Sequence, residues 1–245
     1  GLNNSSNSNK DLLVSAQKLL SDCKNYGTLS FSIMARISFI GTILLKSLQN
    51  MGIFGNNFYD NFINSVSTPL TEIQNDVSDF KNGQISKQTF FKKYGHLRPG
   101  TYDITQDRYD KNYTFFSEIN FKKKEKKPGQ QFNKKTVTDL VSKHLNIQSN
   151  VDLLDFIRDA ITQREKLKFE FTKNLSDSLE LIIKIGTEMG FTRNELANLD
   201  LNTILKSENQ SKIKSQKVWR KKIELQAKKK QLNNFLNLPQ IIFSK

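Results

Sequence analysis

Between residues 150 and 190 the apolar side chains Leu154, Ile157, Ile161, Leu167, Phe171, Leu175, Leu179, Ile182, Ile185 and Met189 recur three or four positions apart. That spacing lays them along one face of an α-helix. Asn150 stands where an N-cap is expected, and Gly190 where a helix stops. About forty residues rising 1.5 Å each make a helix roughly 60 Å long. An element of this length, in a chain with only four prolines and eleven glycines, predicts an all-α, elongated helical bundle rather than a turn-rich β fold. Its one long helix covers about residues 150–189.

Other stretches share the period. Leu12, Leu13, Ala16, Leu19 and Leu20 predict a helix from Asp11 to Asp22, and Met34, Ile37, Ile40, Leu44 and Leu48 one from Phe31 to Leu48. Phe39, Ile43 and Leu45 widen that second stripe enough for a deeply buried helix. A third helix is expected over Asn57 to Lys81, with Pro69 starting or kinking it. Thr192 followed by Glu195 forms a capping box for a short helix. A lysine-rich helix follows from Ser211 to Lys230. Its apolar residues Ile213, Val218, Ile223, Leu225 and Ala227 are sparse, so it is expected to pack along one narrow face. The period stops between about residues 94 and 136, which read as an ordered motif loop over 94–110 leading into a solvated one. Residues 1–10 read as a disordered or expression-derived edge, residues 11–245 as a single helical domain, and the tail from Asn237 to Phe243 as the cut end of something longer.

Charge narrows the function classes less than its size suggests. The 38 basic residues outnumber 24 acidic ones for a net +14, yet only seven are Arg. Arg is the residue of bidentate phosphate and base recognition, whereas Lys is a hydrated point charge. The lysine runs at 122–127 and 206–230 could bind a phosphate backbone, but they match no nucleic-acid-binding signature and interleave no aromatic other than Trp219. They read as solvated faces, and nucleic acid is not the expected partner. One cysteine, Cys23, excludes an internal disulfide and fits a reducing cytoplasm. With only His96 and His144 beside it, no structural zinc site is expected. Uninterrupted apolar runs such as Phe39 to Leu45 fall short of the roughly 18 residues that cross a bilayer, so no membrane partner is expected either. Cys23 is expected to pack as a small apolar group, and His144 to lie near a helix end.

Chemistry-bearing residues concentrate in Tyr94-Gly95-His96-Leu97-Arg98-Pro99-Gly100-Thr101-Tyr102-Asp103-Ile104, followed by Arg108-Tyr109-Asp110. Two of the seven arginines and one of two histidines fall within about fifteen residues. In a Lys-dominated chain such a cluster reads either as a loop site or as a loop whose Arg and Asp satisfy each other. On the long helix, Arg164 and Lys168 share a face beside the apolar stripe. They could hold an anion, or form a surface pair with Glu165. Phosphate-loop, nucleophile-elbow and zinc-protease templates have no match.

The HLRPGTYDI string is the specific part of a resemblance running from about Asp11 to Phe243. Together with Tyr26-Gly-Thr-Leu-Ser-Phe31, Ala35-Arg36, Ser65-Val-Ser-Thr68, Arg164-Glu165, Lys168-Phe169 and Phe171-Thr-Lys-Asn-Leu-Ser176, it resembles the middle domain of phosphoenolpyruvate synthase-like phosphotransferases. L-glutamine kinases of bacterial capsule synthesis are the nearer relatives, rifampicin phosphotransferase a more distant one. The resemblance implies a cytoplasmic, multidomain, ATP-dependent enzyme. In it an ATP-grasp domain binds ATP and magnesium, a mobile domain carries a phosphorylated histidine, and a helical domain binds a small-molecule acceptor, with glutamine favoured. Only the helical domain matches, so the fragment alone is expected to be inactive and to bind neither ATP nor metal. His96 and Arg98 are the expected catalytic residues, with Arg36, Tyr102, Asp103, Arg108, Arg164 and Lys168 holding substrate. Ser38 departs from the pattern, which leads one to expect a bulkier polar residue such as His. The competing reading is a non-catalytic helical scaffold that binds nucleic acid or a protein through its lysine faces.

Overall fold

The computed structural model describes residues 3–112, 138–139, 142–144 and 152–233. Among the described residues every regular element is helical, as the long stripe predicts. α1 (Asn3–Asp22) passes through a π-helical turn (Cys23–Thr28) directly into α2 (Leu29–Asn50). α3 (Phe58–Ser65), α4 (Pro69–Lys81) and α5 (Lys87–Tyr94) follow, then the long α6 (Leu153–Glu188), the short α7 (Arg193–Leu196) and α8 (Leu201–Leu205), and α9 (Lys212–Asn233).

Several expectations need correction. Residues 3–10, expected in a disordered or expression-derived edge, are helical, because α1 begins at Asn3. The chain does not break around Tyr26-Gly27. A wider π turn carries it through, and the Thr28 hydroxyl donates to the carbonyls of Cys23 (3.1 Å) and Lys24 (2.7 Å). The single helix expected over 57–81 is two, since Pro69 occupies the first turn of α4, where its missing N–H costs nothing. Thr68 caps that start, its N–H donating to Thr71 Oγ1 at 2.9 Å. The expected Asn150 cap lies outside the described residues. The Asp152 carboxylate accepts instead from the Asp155 N–H at 3.0 Å.

Other expectations hold. α6 ends where Gly190 predicts. With φ at +80°, Gly190 closes a Schellman turn in which its N–H reaches the Thr187 carbonyl and the Phe191 N–H reaches that of Gly186, both at 2.9 Å. The Thr192–Glu195 capping box also forms, with Glu195 N–H to Thr192 Oγ1 at 3.2 Å and Thr192 N–H to Glu195 Oε2 at 2.8 Å. The Thr192 N–H and, at 2.9 Å, the Thr192 hydroxyl both donate to the Glu195 carboxylate, stabilise its ionised form and lower its pKa.

Where one domain is expected, the chain divides into two compact units. The first comprises Gly1–Ser21, Arg98–Asp107 and Leu175–Lys245; the second comprises Asp22–Leu97 and Arg108–Asn174. No linker composition marks the division, because the chain crosses it inside helices and inside the motif loop. In the first unit, Leu13 and Ala16 of α1, Ile182 and Ile185 of α6, Leu196 of α7 and Trp219 of α9 form one core. The contact face of α9 is narrow, as expected, but it is made of Ser215, Trp219 and Ile223. Ile213, Val218 and Leu225 lie exposed. The second unit holds two cores, one built on Leu45, Leu48, Phe62 and Ile157, the other on Val77, Phe90, Tyr94 and Tyr109. Cys23 is buried there, and burial raises its pKa.

The expectation that no segment could span a membrane also changes. The continuous helix Asn9–Asn50 is long and apolar enough by length and composition, with a mean hydropathy of 1.7 in its most apolar window, of which 22% is buried. Counting uninterrupted apolar runs misses it, because Ser, Thr and Gly break the runs of Leu29–Leu45 while Arg36 is its only charge.

Candidate functional site

In the first unit the loop Arg98–Asp107 is gripped by two guanidinium groups. Arg98 is 5% exposed. Its Nη1 donates to the carbonyls of Asp103 (3.4 Å) and Gln106 (3.3 Å). Its Nη2 donates to Ser176 Oγ (2.9 Å), to the Ser176 carbonyl (3.3 Å) and to Glu180 Oε1 (3.2 Å). From the start of α7, Arg193 Nη1 donates to the Ile104 carbonyl at 3.1 Å, and its Nη2 pairs with Asp107 at 2.9 Å. Glu180 Oε1 also lies 3.5 Å from Arg193, so one carboxylate ties the two cations together. Taking a charge out of water costs several kcal/mol unless it is paired and its remaining donors are filled. Here Glu180 and Asp107 supply the pairing, while the Ser176 hydroxyl and backbone carbonyls, some from an irregular loop that would otherwise leave them unsatisfied, accept from the terminal guanidinium nitrogens.

The loop turns within this grip. Asp103 Oδ1 accepts from the Thr105 hydroxyl (2.6 Å) and N–H (2.9 Å), and these bonds, more than the charge of Arg98, lower the Asp103 pKa. The turn presents Thr105 to an open pocket of about 390 Å³, which Asn194, Ala197, Asn198, Ala227, Lys230 and Gln231 also line. Three side-chain amides, one hydroxyl and one amine therefore meet around a space large enough for a small metabolite.

The second unit holds the remaining sequence candidates. His96, 6% exposed, sets its ring edge-on to Phe169 at a centroid distance of 4.9 Å. Arg108 forms a two-pronged pair with Asp110, Nε to Oδ1 at 3.2 Å and Nη2 to Oδ2 at 2.8 Å. The neighbouring Tyr109 is buried, which raises its pKa, and its N–H donates to the Leu97 carbonyl at 2.8 Å. Tyr94, also buried, donates its hydroxyl to Asp76 at 2.7 Å; burial and then that bond raise its pKa. Arg164 on α6 pairs with Glu165 at 2.7 Å, donates from Nη1 to the buried Ser38 hydroxyl of α2 at 3.2 Å, and lies 5.5 Å from the Phe39 ring. Lys168, one turn further on, is exposed, as are Arg36, Tyr102 and Asp103.

The geometry sorts the candidates. Arg98 and His96 are buried among protein groups, and Arg98 commits both terminal nitrogens to the loop and α6, so it acts here as a clamp. Arg108 and Arg164 each hold a neighbouring carboxylate. Ser176, Glu180, Arg193 and the amides of Asn194, Asn198 and Gln231 escaped sequence reasoning. Arg193 was accessible to it, being another of only seven arginines and standing directly after a helix cap; the amides carry no spacing that marks them. His144 is an exposed helical residue, while the lysine run at 122–127 and the Asn237–Phe243 tail lie outside the described residues. Among the described residues no group of three His, Cys, Asp or Glu side chains could hold a metal ion.

No known protein family, curated sequence or solved structure matches this chain.

Proposed function

We propose that the chain is the acceptor-binding domain of an ATP-dependent phosphotransferase of the phosphoenolpyruvate synthase-like kind, with L-glutamine as the favoured acceptor. The phosphoryl group would arrive on a histidine carried by a domain outside this chain. The observation that carries the reading is the pocket beside the clamped HLRPGTYDI loop. Asn194, Asn198 and Gln231 offer both donors and acceptors to a carboxamide, Lys230 offers an ammonium to a carboxylate, and Thr105 is held by its own turn. Phosphoryl transfer depends mainly on holding the acceptor in line and neutralising charge. A loop fixed by two arginines, one of them buried, suits the first task. In this reading Arg98 positions the loop, and Lys230 supplies positive charge beside the acceptor.

The test is calorimetric titration of the chain with L-glutamine. Binding should appear at millimolar ligand or tighter and weaken by about tenfold in Lys230→Met, which removes a charge-assisted contact. A second reading rests on α9, where Lys214, Lys217, Lys221 and Lys222 are exposed. It is a scaffold that binds a polyanion. No heat with glutamine or any other amino acid, together with duplex RNA or DNA binding that falls steeply with salt, would replace the first reading by the second.

A further inference from the structure

Two residues that line the pocket of the first unit have lost the freedom to choose between donating and accepting a hydrogen bond. The Thr105 hydroxyl stands 2.6 Å from Asp103 Oδ1. The turn lowers the Asp103 pKa, so its carboxylate is ionised at neutral pH and only accepts. The hydroxyl proton is spent on it. Thr105 Oγ1 keeps its lone pairs and has nothing left to donate. Asn198 is fixed by the same logic. Its Nδ2 donates to the Asn194 carbonyl at 2.9 Å, and that carbonyl likewise only accepts, so turning the amide end for end would lose the bond. Asn198 Oδ1 is thereby kept as an acceptor. Thr105 comes to the pocket from the clamped loop, and Asn198 from just beyond the end of α7.

We infer, resting on the acceptor-pocket reading above but not on phosphoryl transfer, that Thr105 Oγ1 and Asn198 Oδ1 together receive a primary ammonium group of the ligand. An ammonium has only hydrogens to offer, and it fits a pair of oxygens whose own hydrogens are committed elsewhere. A carboxylate or phosphate oxygen placed there would set lone pair against lone pair. The Asp103 charge, one hydrogen bond behind Thr105, favours a cation further. A calcium or magnesium ion is poorly served, because it takes six or more oxygens and prefers carboxylates, and no Asp or Glu lines the pocket. Lys230 is the charged residue of the lining. It repels a plain alkylamine and attracts an acid group carried on the same ligand. The ligand class is therefore a zwitterion, an amino acid whose ammonium lies on Thr105 and Asn198 and whose carboxylate faces Lys230 of α9.

Calorimetric titration of the full chain with L-glutamine and two of its analogues decides it. Glutaramate lacks only the ammonium, and γ-aminobutyramide lacks only the carboxylate. Glutaramate should bind roughly tenfold more weakly than glutamine, or worse, because it leaves both oxygens without a donor. Lys230→Met should weaken glutamine and leave γ-aminobutyramide unchanged or tighter. Thr105→Val keeps the shape and removes the oxygen, so it should narrow the gap between glutamine and glutaramate by about threefold or more. Thr105→Ser, which retains the oxygen, should keep the parent gap. A Thr105 that only braces the loop would weaken both ligands by the same factor in Thr105→Val. That result, or glutaramate binding as tightly as glutamine, overturns the ammonium assignment and leaves the glutamine reading standing. If glutamine gives no heat while γ-aminobutyramide binds and depends on Thr105, the glutamine reading falls and the ammonium site stands. No binding of any of the three overturns both.

Discussion

Replacing Arg98 by Met keeps a similar apolar stem and deletes the group that closes the loop of the first unit. The structure sets the scale. Five acceptors lie 2.9–3.4 Å from its terminal nitrogens, and the side chain is 1% exposed, with a Glu180 partner only 13% exposed. Removing one member of a buried pair costs about 3–5 kcal/mol, because the carboxylate and the carbonyls remain in a place water reaches poorly. Arg193 still faces Glu180, which favours the lower end of that range. Lysine at the same position recovers only part of the loss, since a single ammonium cannot fork to the Asp103 and Gln106 carbonyls and to Ser176 together. Urea unfolding followed by Trp219 fluorescence reads the effect in the right unit, because this sole tryptophan is fully buried in the same core. Arg158→Met is the control. Its Asp155 pair is about one-third exposed and should be worth less than about 1 kcal/mol. If Arg98→Met stays within about 1 kcal/mol of the parent, the clamp is not what holds the loop, and the burial of Arg98 needs another explanation.

Gly27→Ala tests the close approach at the π turn. A Cβ there would lie 2.5 Å from the Phe171 Cβ, so overpacking should cost about 1–3 kcal/mol in thermal unfolding; an unchanged midpoint would mean that the turn yields freely. Glu195 gives a pH test. Its folded pKa lies below the ordinary 4.5, so its contribution is fully present above that value and is lost as pH falls through the folded pKa. Glu195→Gln keeps an acceptor for Thr192 and removes the titration. The parent should therefore lose melting temperature relative to the variant as pH drops from about 4.5, and parallel curves would count against the capping role.

The helical class and the extent of α6 were legible because apolar spacing over many turns repeats one signal. The Gly190 stop and the Thr192 box were legible because each depends on residues a few positions apart. The course of the chain through residues 22–30 was not. A π turn preserves helical hydrogen bonding with residues that also suit a loop, and only the packing of Phe171 against Gly27 distinguishes the two. Nor was the division into two units, since helices carry no composition change where one core gives way to another. Scarce arginines draw attention to the loop, while the part Arg98 plays in it depends on partners 78 and 82 residues away that no local pattern announces. The α9 face misled for a related reason. Ser215 and Trp219 pack inward while larger aliphatic residues stay in water, because shape and neighbours, not hydropathy alone, choose the contact.

Ser38 lies 126 positions from Arg164 and accepts a hydrogen bond from it while fully buried. A larger side chain at 38 would need the volume the guanidinium now occupies, and a shorter one at 164 would leave the serine hydroxyl facing a gap. The two positions therefore form a single heritable unit. In any descendant of this chain a change at one should be accompanied by a compensating change at the other, so that paired substitution, rather than invariance of either residue, is the trace this contact leaves in sequences.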